Sequence, residues 1–221
     1  MKPNIRLFFF LCCLFFTVGH ASKTKAPEAI LSDWPSIAAT YRLQLNHIIS
    51  PYDRLFKQYA AETAWDWQLL ASIAYQESKF HVHPKSHAGA RGLMGIMPRT
   101  ARSLGFSPDS LVNPEISIQA GVRCLHAFEE YFPDMEAEEK IKFTLAAYNA
   151  GNGHITDARK LASKYGKNPD LWNDVAEFIR LKSKPEYYND PVCKHGYLRG
   201  IETSKYVKEV TERYKSYKSR T

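Results

Sequence analysis

Leu70-Ala71-Ser72-Ile73-Ala74-Tyr75-Gln76-Glu77 is the stretch on which the fold turns. Leu70, Ile73, Ala74 and Glu77 fall at i, i+3, i+4 and i+7, so the spacing predicts a helix whose buried stripe ends in a carboxylate. An acid on an apolar stripe loses hydration, and desolvation favours its protonated form. In the last turn of its helix, Glu77 would also feel the negative end of the helix dipole, which acts in the same sense. Both effects suit a general acid near neutral pH. Spacing alone favours a structural carboxylate paired with a nearby Arg or Lys.

Downstream the same period recurs. Ile118, Val122, Leu125 and Phe132 mark a helix starting near Asn113-Pro114. Ile141, Leu145 and Tyr148 share a face that is expected to stop at a turn, Gly151-Asn152-Gly153, and Val207, Val210, Tyr214 and Tyr217 mark a last helix. Period-two alternation bounded by hairpin turns is scarce, so the expected class is all-α. With 221 residues, 44% of them hydrophobic, the chain can bury one sizeable core, and it shows no internal repeat.

Upstream, Lys2 and Arg6 precede an apolar run from Leu7 to Val18, then Gly19-His20-Ala21, a small-x-small cleavage pattern. Residues 1–21 therefore read as a signal peptide, too short in its apolar run for a membrane-spanning helix of roughly 18 residues or more. A lipid anchor on Cys12 or Cys13 is poorly supported, because Leu11 and Cys12 precede them rather than a small residue. Residues 22–51, with Pro27 and Pro35, read as a lead-in or tether with a short helix around residues 37–48, and 52–221 as the catalytic domain. After cleavage Cys124 and Cys193 remain, either to pair, which would add roughly 4 kcal/mol through loop closure, or to stay as two separate thiols.

Beyond Glu77, the stretch Ser86-His87-Ala88-Gly89-Ala90-Arg91-Gly92-Leu93-Met94-Gly95-Ile96-Met97 has glycines close enough for tight turns and approach to a ligand. Taken in order, Gln76-Glu77-Ser78, Ser86, Gly89-Ala90-Arg91-Gly92-Leu93-Met94 and Ala146-Ala147-Tyr148-Asn149-Ala150-Gly151 resemble the signature of lytic transglycosylases of the goose-lysozyme-like family. Lys184-Pro185-Glu186-Tyr187-Tyr188 and Gly196-Tyr197-Leu198-Arg199-Gly200 are similar to the catalytic domain of the family's membrane-bound F branch.

The resemblance implies a lysozyme-like α-helical single domain acting on the peptidoglycan bond between N-acetylmuramic acid and N-acetylglucosamine. It assigns Glu77 as the acid that protonates the glycosidic oxygen and then as the base that draws the proton from the muramyl C6 hydroxyl, leaving a 1,6-anhydro end. One carboxylate then suffices, unlike the paired acids of most glycosidases. It also implies that Ser86 contacts the sugar or peptide stem, that Met97 lines the cleft, and that Tyr148 and Asn149 position groups around the glutamate. Tyr148 by itself equally reads as a core tyrosine, since its face is otherwise apolar.

Two positions depart from the family pattern. Gly95 stands where many relatives have glutamine, so a sugar-binding group is either missing there or supplied from elsewhere, and Asn152 replaces a common proline. No cofactor is required. His81, His83 and His87 lack a further convergent ligand, so no metal site is expected. Loss of residues 1–21 lowers the formal net charge from +7 to +5, because it removes Lys2 and Arg6 and no acid. A basic exported protein suits the acidic wall mesh in the periplasm, with room for peripheral association with the outer membrane, and no basic stripe with interleaved aromatics points to nucleic acid. The rival readings are a water-using muramidase and a silent wall-binding module.

Overall fold

A computed structural model describes residues 48–63, 65–82 and 89–220. The expected signal peptide and nearly all of the expected lead-in, with its short helix, lie outside the described residues, as does Ser86.

The described residues form nine α-helices and one 3-10 turn: α1 Asp53–Ala61, α2 Trp67–Ser78, α3 Pro98–Ser103, the 3-10 turn Pro108–Val112, α4 Pro114–Glu129, α5 Ala137–Ala150, α6 Asn152–Lys164, α7 Trp172–Leu181, α8 Pro185–Tyr188 and α9 Gly200–Lys218. Among these residues the only extended pairing is one antiparallel bridge, Arg91 with Ile96. The all-α expectation holds.

Helix α2 starts at Asp66, whose carboxylate caps the Gln68 N–H at 3.2 Å. Leu70, Ile73 and Ala74 are fully buried as the stripe requires, but Leu69, Ala71 and Ser72 are buried too. The helix is therefore the central post of the fold rather than an amphipathic surface helix. Its buried hydroxyls are satisfied within the helix: Ser72 donates to the Gln68 carbonyl at 2.7 Å and Ser78 to the Ala74 carbonyl at 2.9 Å.

Helices α1 and α9 pack directly on α2, and α4, α6 and α7 extend the core around α5 and α9. Polar contacts fasten α9 to α2 at both ends. Tyr214 donates to Asp66 at 2.8 Å at one end, and Gln76 bridges Glu209 at 2.8 Å and Arg213 at 3.0 Å at the other.

Helix α4 starts as the sequence predicts, with Pro114 in its first turn and the Asn113 side chain accepting from the Glu115 and Ile116 N–H groups. Phe132 is buried, but it lies beyond the end of α4 and packs on Phe143 at a ring distance of 5.5 Å. The expected turn at Gly151-Asn152-Gly153 narrows to one residue. Gly151, at φ +88° and ψ 139°, ends α5 and begins α6, so Asn152 sits in the first turn of α6, where the family's proline fits equally well.

A buried ion pair binds the second half of the core. Lys182 reaches Asp157 of α6 at 2.6 Å, and the two side chains are 0% and 1% exposed. Asp157 also accepts the backbone N–H groups of Lys194 at 3.0 Å and His195 at 2.8 Å, which draws the loop before α9 onto α6. Cys124 and Cys193 are both free thiols, the first in the core and the second half-buried, so the paired alternative is not the one found.

Candidate active site

Glu77 is the penultimate residue of α2. The chain leaves this helix through two consecutive left-handed residues, Lys79 at φ 54° and Phe80 at φ 63°. Both carry a Cβ, so each such residue costs roughly 1–2 kcal/mol. Phe80 turns back to pack on Tyr75 and Phe56, at ring distances of 5.5 and 6.4 Å, which offsets the strain and ends the helix beneath the carboxylate.

Facing Glu77 is a hairpin from Arg91 to Ile96, closed by two backbone hydrogen bonds of 3.0 Å. Leu93 and Met94 at its tip are fully buried, plugging it into the core against Gly121 of α4. The Met94 N–H donates to the Ser117 hydroxyl at 3.1 Å, and Tyr148 donates to the Met94 carbonyl at 2.6 Å. Helices α4 and α5 thus hold the hairpin from both sides.

Gly95 has φ +62°, and a Cβ there would fall on a Glu77 carboxylate oxygen and 2.9 Å from the Glu77 Cβ. In this chain the acid itself occupies the space that a side chain at position 95 would take. The departure seen in the sequence therefore bears on how Glu77 is seated.

The Glu77 side chain keeps a partly accessible edge but is densely surrounded by protein, and this desolvation raises its pKa from 4.5 to about 7. Two groups oppose the shift, the Tyr206 hydroxyl and the Lys79 charge. The Tyr206 hydroxyl is buried against the carboxyl yet falls short of full hydrogen-bond geometry, so it moderates the shift without cancelling it. No second carboxyl is among the groups that shift Glu77. Burial raises the hydroxyls of Tyr148 and Tyr206 well above the usual phenol range, the Glu77 charge adding to this, so both stay protonated. Burial likewise pushes the adjacent Cys124 thiol up to about 12.

The predicted residues divide accordingly. Glu77 and Tyr148 come together, with the Tyr148 hydroxyl donating to the Met94 carbonyl of the hairpin that faces the acid. Met97 follows the hairpin at the start of α3 and is 41% exposed. Asn149 is exposed beside Tyr148 and makes no side-chain hydrogen bond among the described residues. Among these residues no group of three or more His, Cys, Asp or Glu could hold a metal; His81 lies against the Ser78 carbonyl at 3.0 Å, and His83 and His87 fall outside the described residues. Sequence reasoning does not single out Tyr206. A signal for it exists: it precedes Val207 on α9 and follows the Gly196–Gly200 block by less than two helical turns.

An all-helical frame in which one desolvated acid faces a glycine hairpin is a lysozyme-like fold, and solved structures agree. The 70 kDa soluble lytic transglycosylase of Escherichia coli aligns with a TM-score of 0.54 and 28% identity, over 75% of this chain and 24% of that one. Residues 54–171, more than half of the chain, match the Transglycosylase SLT domain, and the protein belongs to that family. Membrane-bound lytic murein transglycosylase F of Haemophilus influenzae is 41% identical over 172 residues, 77% of this chain and 34% of that protein. The Vibrio cholerae protein of the same name is 42% identical over 163 residues, 73% of this chain and 30% of its own length. The chain thus spans about a third of the length of these relatives.

Proposed function

We propose that the protein is an exported peptidoglycan lytic transglycosylase acting in the periplasm, with residues 52–221 as its catalytic domain. The reading is carried by Glu77: one desolvated carboxyl, its pKa raised to about 7, with no second carboxyl among the described groups that shift it. At neutral pH a large fraction of Glu77 is protonated and can donate to the glycosidic oxygen between N-acetylmuramic acid and N-acetylglucosamine. The resulting carboxylate then accepts the proton of the muramyl C6 hydroxyl as that oxygen closes onto C1. Bond cleavage and ring closure conserve atoms, and water is not consumed. A single acid suffices because the nucleophile belongs to the substrate, whereas a hydrolase needs a further group to activate water.

By the family resemblance Ser86 is assigned to contact the sugar or the peptide stem, Met97 to line the cleft, and Asn149 to position groups around the glutamate. Tyr148 and Tyr206 are positioning residues, the first through the hairpin and the second through the carboxyl itself. The names of the relatives support murein as the substrate, and peripheral association with the outer membrane is consistent with their membrane-bound description.

Digestion of purified peptidoglycan, followed by mass analysis of the released muropeptides, tests this directly. Wild type is expected to yield 1,6-anhydromuramyl ends and Glu77→Gln none. Reducing muramyl ends would instead identify a muramidase. Sedimentation with the wall and no release by wild type would identify a binding module.

A further inference from the structure

Away from Glu77, helices α5, α7 and α9 line an open groove of about 670 Å³, more than twice the volume of two other hollows of about 320 and 300 Å³. Four cations line it: Lys142 of α5, Arg180 of α7, and Lys205 and Lys208 of α9. None of its lining residues is acidic, whereas both smaller hollows have acids on their walls. At about 100° per residue, Ser204 and Lys208 lie on the far side of α9 from Tyr206, so the groove is separate from the face that meets Glu77.

The cations are available to a ligand to different degrees. Among the described residues Arg180 has no acidic partner. Lys205 and Lys208 make only surface pairs one turn along their own helix, at 3.6 Å to Glu209 and 3.9 Å to Glu212, contacts that contribute little and are easily exchanged. Lys142 is held more firmly by Glu139 at 2.6 Å and serves as a fixed charge at the inner wall. The floor is apolar, with buried Val207 and Ala176, and Ile201 stands 68% exposed at the rim. The Ser204 hydroxyl is buried in the same wall with no hydrogen-bond partner.

Charge of one sign, short apolar contacts and a spare hydroxyl match a peptide bearing several carboxylates. From Ile201 to Thr211 the α9 wall is about 15 Å long, the span of an extended chain of roughly four or five residues. A concave groove does not fit the flat face of a bilayer. We propose that this groove binds the acidic stem peptide of a peptidoglycan strand other than the one in the cleft, so that the enzyme grips a neighbouring strand while it cleaves. The choice of wall peptide as occupant rests on the function proposed above; the preference for a short acidic peptide rests on the groove alone.

The test is calorimetric titration of the full protein with a free stem tetrapeptide carrying glutamate and diaminopimelate carboxylates. Wild type and Glu77→Gln are expected to bind it alike, with affinity falling as salt rises. Arg180→Glu/Lys208→Glu, two exposed positions away from the catalytic machinery, is expected to bind at least about tenfold more weakly, and the amidated peptide not at all. The double variant should still release anhydro products from peptide-free glycan at the wild-type rate. Equal binding by wild type and the double variant, or none by wild type at millimolar peptide, overturns the proposal. Co-sedimentation with anionic phospholipid vesicles without peptide binding also overturns it, in favour of a membrane face. Absence of product from wild type would refute the enzymatic reading alone, since the titration is read independently of turnover.

Discussion

Asp157 and Glu77 are both carboxylates withdrawn from water, and their surroundings drive them in opposite directions. Burial alone would raise Asp157, but the Lys182 hydrogen bond, the N–H groups of Lys194 and His195 and the Lys182 charge together hold it below the usual carboxylate range. Glu77 receives no such set, and desolvation leaves it near neutrality. Burial with full partnering makes a carboxylate a structural rivet; burial without it makes a reactive acid.

The largest test of this contrast removes the reactive member. Glu77→Gln is expected to lower turnover by about 10⁴-fold, since the proposed mechanism gives one residue both proton transfers; a variant retaining a tenth of wild-type activity would place the chemistry elsewhere. Breaking the rivet is next. Lys182→Met strands a buried charge and should cost about 3–5 kcal/mol in urea unfolding, with Asp157→Asn/Lys182→Met recovering part of the loss. An unchanged midpoint would show that the pair does not brace the fold.

Glu77→Gln should also stabilise the protein, in a pH-dependent way. An unfolded glutamate titrates near 4.5 and the folded one at about 7. Below pH 4 both states are protonated and the substitution is close to neutral. As pH rises from 4.5 to 7 the unfolded chain loses its proton first, so native stability falls until the folded carboxyl has titrated too. The variant escapes this loss and should be about 3 kcal/mol more stable than wild type at pH 8. Thermal melts at the two pH values check this, and equal gains at both would mean that Glu77 is not desolvated.

Gly95→Ala, which drives a Cβ into Glu77, is expected to reduce turnover about 10²-fold by displacing the acid; full activity would mean that the carboxyl can be seated in more than one way. Tyr148→Phe removes one hydrogen bond to the hairpin and should cost about 1 kcal/mol, with a matching fall in kcat and little change in KM. A change in KM alone would make Tyr148 a substrate contact rather than a brace.

Much of this contrast is open to the sequence on one side only. The stripe Leu70, Ile73, Ala74, Glu77 is local, and a 3.6-residue period reports a helix face without knowledge of its neighbours. The burial of Leu69, Ala71 and Ser72 is not legible, because it depends on helices that close around α2 from far along the chain. The rivet is invisible for the same reason: Asp157 and Lys182 are 25 residues apart, and nothing in their spacing says that they meet. The motif blocks mark Tyr148 and the hairpin glycines. Only the three-dimensional arrangement shows that Tyr148 donates to the Met94 carbonyl, or that Gly95 makes room for the acid.

The one-residue joint at Gly151 sets a limit on how the chain can change in length. Helices α5 and α6 meet there with no spare residue, so one amino acid inserted within the first turn of α6 would turn the rest of that helix by about 100° relative to the joint. Asp157 would then leave Lys182 and the loop it holds, while hydrophobic residues such as Ile155 and Leu161 would rotate out of register with the core. The phase between these two helices is therefore as constrained as the identity of any buried side chain, and insertions or deletions at this joint should be far less tolerated than substitutions on the surrounding surface.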